Sequence, residues 1–462
     1  MKSTRVRSIV VNILAAAFVV GLGFFVYLLL TSGETWASSP INQHLASGQL
    51  KSAGSVFDRN GVTLAKSEDG KRVYNDNLSI RRATLHTVGD DSRFISTAVQ
   101  SAFRSNLVGY NFVTGISLSQ FSGRGDDITL TLDSDVCLAA YNALGDRKGA
   151  AVVYNYVTGE ILGMVSTPTY DPANRPKDID KDKTGKYDGV YLNRVLSSSY
   201  APGSTFKIIT CAAAIENIPD IDTRKFTCKG SIEVDGEKIT CLSHHGTIGF
   251  EDGMAKSCNI VFAELAMELG KDVMTKTAES MGFNKSLVIE GIPTAKCSYD
   301  VSEANKRNLG WSGIGQYTDL VNPMYMAVLC GAIANDGTPV IPYFVDRITS
   351  PLGVPTHVGY AGFGERMLKK ETAQRLKEIM RYTVKSNYGD KMFPGLTVCA
   401  KTGTAEVDEG KQPHGWMVGF STDEDCPLAF AVIVENSGYG ISQAGPVATA
   451  MMTAAAKTVR GS

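Results

Sequence analysis

Tyr200-Ala201-Pro202-Gly203-Ser204-Thr205-Phe206-Lys207 runs straight into Ile208-Ile209-Thr210-Cys211-Ala212-Ala213-Ala214-Ile215. Pro and Gly mark the entry to a helix, and the Ala-rich run propagates it. Residues i and i+3 of a helix share a face, about 5–6 Å apart at Cβ, so Lys207 is within reach of Ser204. A serine hydroxyl is a weak nucleophile until a neighbouring base takes its proton. A lysine one turn away serves as that base if it is held neutral. On its own the pair has a plainer reading, a capped surface helix with a solvated lysine.

Two stretches further along the chain change that reading. Ser257-Cys258-Asn259 stands just before an apolar helical run, and Lys401-Thr402-Gly403-Thr404 ends the strand-like segment Leu396–Ala400. Phe250–Gly270 reads as two helical pieces meeting near Ser257, with Ile260, Val261, Leu265, Ala266 and Leu269 as the buried stripe and Gly270 closing it. Ser257 and Asn259 are therefore expected at a loop where polar side chains face a cleft. For Asn259 alone, an N-cap of the second piece is the competing role.

Ser-x-x-Lys, Ser-x-Asn and Lys-Thr-Gly in this order resemble the motif set of penicillin-binding proteins and serine β-lactamases. Asp58-Arg59-Asn60-Gly61-Val62-Thr63-Leu64-Ala65 resembles a segment near the start of class B penicillin-binding proteins that β-lactamases lack. Thr84–Gly89 resembles another pedestal segment, and Gly310–Gln316 resembles the family's Gly-Gln loop. The chain thus resembles a class B penicillin-binding protein, a monofunctional peptidoglycan D,D-transpeptidase, over nearly its whole length.

The resemblance implies a mixed α/β (α+β) fold. A central antiparallel sheet flanked by helices follows a small β-rich pedestal and a single N-terminal transmembrane helix. It implies a cytoplasmic tail (1–8), an anchor (9–31), an extracytoplasmic linker and dimerisation-like pedestal (32–148) and a transpeptidase domain (149–462). It also implies the chemistry. Ser204 attacks the D-Ala-D-Ala peptide bond and Lys207 takes its proton. Ser257 relays the proton to the leaving amine, and Asn259 binds the substrate amide and Lys207. Lys401 and Thr402 hold the terminal carboxylate, Gly403 lets substrate approach the strand edge, and the backbone N–H groups of Ser204 and Thr404 form the oxyanion hole. β-Lactams would acylate the same serine. No metal or organic cofactor is implied, and the implied protein partner is a polytopic glycosyltransferase of the shape, elongation, division and sporulation family.

An ordinary lysine has a pKa of about 10.4, so a base working near neutrality needs a shift of roughly 3 units. Burial and the second cation, Lys401, would both push Lys207 that way.

Composition agrees with a globular enzyme. The 462 residues are 43% hydrophobic and 20% charged, enough for a real core. Forty-six basic against 47 acidic residues, net -1, argue against nucleic acid as a partner. Ile9–Leu30 is an apolar run long enough to cross a bilayer, with Lys2, Arg5 and Arg7 before it and Trp36 expected near the interface. Those charges place the N-terminus in the cytoplasm and the remainder outside. A cleaved signal peptide is the alternative, but the run exceeds a usual h-region and lacks a convincing small-x-small cleavage site.

Among nine cysteines, Cys228 and Cys241 flank a hairpin signal at Asp235-Gly236. The sequence leaves open a stapling disulfide or two reduced thiols. A metal site with His244 and His245 is a third, less favoured geometry.

The rest supplies elements. Ile128–Leu132 alternates as a strand and Asp133 or Ser134 caps a helix through Leu144. Ala150–Tyr156 and Glu160–Ser166 form a hairpin about Val157-Thr158-Gly159. Asn322-Pro323 starts a helix through Ala334, Lys369–Val384 is amphipathic, His414–Phe420 and Pro427–Glu435 are strands, and Pro446–Val459 is a terminal helix. A short helix is expected within 98–112.

A serine β-lactamase, a β-lactam sensor and a structural division protein with a dead active site are the rival readings, the last opposed by three intact motifs. The pedestal and anchor weigh against the first, and the short N-terminal tail against the second.

Overall fold

The computed structural model describes residues 2–38, 50–111, 116–117, 123–407 and 410–461. Helix α1 (Lys2–Ser38) contains the one stretch among the described residues, Arg7–Leu29, that is long and apolar enough to cross a membrane. None of it is buried against protein, which fits a membrane anchor. Of the expected juxtamembrane linker, Gly33–Gln49, residues 39–49 lie outside the described residues, as does the side chain of Trp36.

Strands β1 (Val56–Phe57), β2 (Thr63–Glu68), β3 (Lys71–Tyr74) and β4 (Asp127–Leu130) come next. Asn60-Gly61 turns the chain between β1 and β2, and the Asp58 carboxylate accepts from the N–H groups of Asn60 and Val62, each at 2.9 Å. The short helix expected within 98–112 is two, Val99–Ala102 and Arg104–Val108. Asp133 caps α2 (Ser134–Leu144), its carboxylate accepting from the Asp135 N–H.

The chain then forms β5 (Gly149–Asn155), β6 (Ile161–Thr167) and α3 (Lys207–Asn217). Four short strands follow: β7 (Lys225–Cys228), β8 (Ser231–Val234), β9 (Glu237–Thr240) and β10 (Gly246–Gly249). Next are α4 (Phe250–Ala255), α5 (Asn259–Ser280), α6 (Pro323–Ala334), β11 (Val345–Thr349), β12 (Pro355–Val358) and α7 (Lys370–Thr383). Strands β13 (Val398–Ala405), β14 (His414–Ser421) and β15 (Leu428–Val434) lead to α8 (Gly440–Arg460).

Two sheets result. The first has the order β12-β11-β4-β1-β2-β3, so strands from 345–358 complete a sheet begun before residue 80. That sheet crosses the boundary expected near Lys148. The second, β13-β14-β15-β5-β6, is antiparallel throughout. Every residue of β5, β6 and β15 is buried, so both faces of this sheet are covered; α6 and α8 pack against it. Strand β13 is one edge of it and β6 the other.

Two local expectations are corrected and one holds. Helix α8 starts at Gly440, before Pro446, because the proline falls inside an amphipathic helix whose apolar side packs on the sheet. Gly270 closes the first helical piece of α5 as expected: its backbone (φ 77°, ψ 168°) is non-helical, and a second piece follows to Ser280. Cys258, not Asn259, occupies the N-cap position, and no side chain caps that end.

Candidate active site

Ser204 sits in a single 3₁₀ turn, Gly203–Thr205, immediately before α3. Gly203 has φ +51°, and a Cβ there would lie 2.5 Å from the Thr404 carbonyl oxygen. Only glycine tolerates both the left-handed backbone and the contact. Pinning bonds surround the turn. Gly203 N–H donates to Gly315 O at 2.9 Å, so the Gly-Gln loop backs it. Trp416 Nε1 on β14 donates to Ala201 O at 3.0 Å. Tyr200 donates its hydroxyl to Glu435 at 2.7 Å, and Arg194 pairs with the same carboxylate at 2.7 Å.

The first residue of α3, Lys207, is wholly buried. Its Nζ donates to Ser257 O (2.6 Å), Ser257 Oγ (3.2 Å) and Asn259 Oδ1 (2.8 Å). A bond to Ser204 Oγ is not among the hydrogen bonds of the described residues. Burial pushes the Lys207 amine from its usual 10.5 down to about 7, while the thiols of Cys241 and Cys258 pull weakly upward. The expected help from Lys401 falls on the other partner. Lys401, also wholly buried, is held well below its usual range, first by desolvation and then by repulsion from Lys207.

Ser257 lies between the two amines. Its Oγ accepts from Lys401 Nζ at 2.9 Å and from Lys207 Nζ at 3.2 Å. Its backbone is left-handed, φ +54°, a conformation costly for a serine that persists because the turn between α4 and α5 imposes it. Asn259 spends its amide in two directions, Oδ1 toward Lys207 and Nδ2 to Thr240 O at 2.9 Å. That explains why its side chain does no capping.

Edge strand β13 carries the third motif. Thr402 and Thr404 are half-buried on one side of the strand, and Lys401 and Gly403 are buried on the other. A Cβ on Gly403 would lie 2.7 Å from Pro202 O and 3.0 Å from Thr205 Cγ2. The expected role of Gly403, admitting substrate, is therefore joined by another: it lets the strand close on the nucleophile's own turn. Thr404 Oγ1 accepts from Gly440 N–H at 3.4 Å.

The sequence reading missed Tyr388. It follows α7 in a π-helical turn ending at Gly389. The hydroxyl of this half-buried side chain accepts from Thr402 N–H at 2.9 Å and bonds Thr402 Oγ1 at 2.9 Å. Burial raises its pKa, so the phenol stays protonated. Tyr-Gly after an amphipathic helix was the sole signal. All eight expected residues thus converge on the Ser204 turn, the α4–α5 junction and β13.

This convergence has relatives. The penicillin-binding protein transpeptidase domain model matches residues 149–453. The chain belongs to that family. Peptidoglycan D,D-transpeptidase PbpA of Mycobacterium tuberculosis is 29% identical over 403 residues, covering 79% of this chain and 80% of its own. Penicillin-binding protein 3 of Bacillus subtilis is 28% identical, covering 81% of this chain and 56% of its own. Among solved structures, the M. tuberculosis penicillin-binding protein A ceftriaxone acyl-enzyme superposes with a TM-score of 0.78 at 25% identity, over 89% of this chain and 99% of that one. The D,D-transpeptidase domain of an Eggerthella lenta peptidoglycan glycosyltransferase gives 0.77 at 29% identity, over 88% and 99%. This penicillin-binding protein is of class B.

Proposed function

We propose that this penicillin-binding protein cross-links peptidoglycan stem peptides through an acyl-enzyme on Ser204. One observation carries the reading: a single hydroxyl, Ser257 Oγ, lies within hydrogen-bond reach of two buried lysine amines beside the Ser204 turn. Neutral Lys207 takes the Ser204 proton as Oγ attacks the penultimate D-Ala carbonyl. The backbone N–H groups of Ser204 and Thr404 receive the oxyanion. Collapse breaks the peptide bond, and the departing D-Ala amine takes a proton through Ser257 Oγ from the lysine pair. Lys401 and Thr402, backed by Tyr388, receive the terminal carboxylate. The amine of a second stem peptide then attacks the ester, its proton passes to the lysine side and on to Ser204 Oγ as the ester C–O bond breaks, and Ser204 is regenerated.

Eight glutamates stand between the second and third motifs, and the four nearest the second, Glu264, Glu268, Glu279 and Glu290, lie in helical or apolar stretches. Three are engaged elsewhere: Glu268 with Arg224, Glu279 with Asn284, Glu290 with the Val345 N–H. This supports a long-lived ester rather than β-lactamase turnover. Hydrolysis of the natural acyl-enzyme, a carboxypeptidase side activity, belongs to the same chemistry.

The anchor faces N-terminus in by its flanking charges, with the catalytic unit outside the membrane. The pedestal comprises 32–148 together with β11 and β12. A polytopic glycosyltransferase of the shape, elongation, division and sporulation family is the expected membrane partner. Intact-mass spectrometry after mixing with benzylpenicillin tests the site. One drug mass should be added, last minutes to hours, and be absent in Ser204→Ala. Return to the free mass within seconds with steady drug consumption would refute the reading.

A further inference from the structure

Behind the second motif the chain gathers four side chains that the chemistry above does not use. Cys228 ends β7, Cys241 follows β9, His245 precedes β10, and Cys258 is the middle residue of Ser257-Cys258-Asn259. Their Sγ and Nδ1/Nε2 ligand atoms lie within 4.8 Å of one another. Cys228 and Cys258 are buried, and Cys241 and His245 half-buried. All nine cysteines are free thiols, so the disulfide left open between Cys228 and Cys241 is not formed.

We propose that Cys228, Cys241, His245 and Cys258 bind one Zn²⁺ ion that fixes the Ser257–Asn259 turn. The distances carry the argument. A tetrahedral ion with Zn–S of about 2.3 Å and Zn–N of about 2.0–2.1 Å sets ligand edges of about 3.8 Å for S···S and about 3.6 Å for S···N. Cys241 Sγ lies 4.0 Å from Cys258 Sγ and 3.6 Å from His245 Nδ1. Neither separation is that of a disulfide, about 2.05 Å. Three thiolates and one imidazole, with all four positions supplied by protein, match a closed structural zinc site, and the soft sulfurs disfavour magnesium or calcium.

The surroundings are those of a ligand shell. Asn259 N–H donates to Cys241 Sγ at 3.3 Å, a bond that favours the thiolate. Binding balances as three thiols and a neutral imidazole taking up Zn²⁺ and releasing three protons. His245, not His244, is the histidine in place; His244 packs over Gly230. The resemblance implied no metal, and Cys258 stands inside the second motif between the two residues to which that resemblance assigns chemistry.

The consequence reaches the site. Cys258 is bonded to both Ser257 and Asn259, and Asn259 also grips Thr240 O and Cys241 Sγ on the hairpin side. An ion there would tie that hairpin to the turn that holds Lys207, in a position no single strand fixes.

Full-length protein in detergent, dialysed against metal-free buffer, should retain one equivalent of zinc by elemental analysis. Cys258→Ser and His245→Ala should each lower that content, and the double variant should abolish it. Because such variants could fail to fold, the wild type supplies a second readout. After chelation, Co²⁺ should restore the intense visible bands of a tetrahedral site and the near-ultraviolet charge transfer of thiolate ligands. Chelation should also slow penicillin acylation, reversed by zinc. Substoichiometric zinc in the wild type, an octahedral Co²⁺ spectrum, or only seven alkylatable thiols in the denatured, unreduced chain would overturn the proposal. Acylation indifferent to zinc removal would overturn its link to the turn. These outcomes are separable from failure of the catalytic reading, which benzylpenicillin adducts on Ser204 report directly.

Discussion

Acylation should follow the ionisation of Lys207, and the pH profile makes this quantitative. The side chain is fully buried and its amine is pushed down to about 7. A base with that pKa is about one-eleventh neutral at pH 6 and ten-elevenths at pH 8, so the rate should rise about tenfold across that interval and level off above it. An unperturbed lysine would instead give roughly a hundredfold rise with no plateau, because neutral amine would still be scarce at pH 8. Stopped-flow acylation with a fluorescent penicillin, run at fixed ionic strength, measures the curve. Lys207→Arg keeps the charge but stays protonated at every pH tested, so its rate should fall at least about 100-fold and lose the inflection. A Lys207→Arg rate near that of the wild type, or a wild-type profile still climbing steeply past pH 8, would refute the assignment of Lys207 as the base.

Other perturbations have defined outcomes. A lysine whose folded pKa is depressed costs stability most fully below about pH 7, and the cost fades as pH rises toward 10.5; relative to Lys207→Met, the wild type should therefore gain about 2 kcal/mol between pH 7 and pH 9 in denaturant unfolding. Ser257→Ala removes the bridge between the lysines and should slow acylation about 10²-fold or more, while circular dichroism shows the fold unchanged. Gly403→Ala forces a Cβ against Pro202 O and should cost about 1–3 kcal/mol, seen as a lower Tm together with slower acylation. Tyr388→Phe leaves the Thr402 N–H without its acceptor, about 1–3 kcal/mol, and should weaken binding of carboxylate-bearing β-lactams about tenfold.

Local chemistry made much of this legible from sequence. The Ser204 turn, the strand running into Lys401, the Asp133 cap and the antiparallel strands each follow from residues within a few positions of one another. What escaped the reading depends on contacts between distant segments. Tyr388 matters because α7 delivers it to Thr402, and β11 joins a sheet begun near residue 56. The side chain of Asn259 looked free to cap because its partners, Lys207 and Thr240, stand 52 and 19 residues away. Cys258 shows no role in the sequence for the same reason: its neighbours Cys228, Cys241 and His245 come from the segment before α4. Gly403 was expected to make room for substrate, whereas the tightest neighbour is the backbone of Pro202.

Acyl transfer to an amine tests the central claim most directly. The full-length protein would be given a synthetic donor ending in D-Ala-D-Ala and a large excess of an amine acceptor, with products separated by mass. The expected result is an amide joining donor to acceptor, one D-alanine released per amide, and no product from Ser204→Ala. Donor left intact, or amide formed equally by Ser204→Ala, would contradict it.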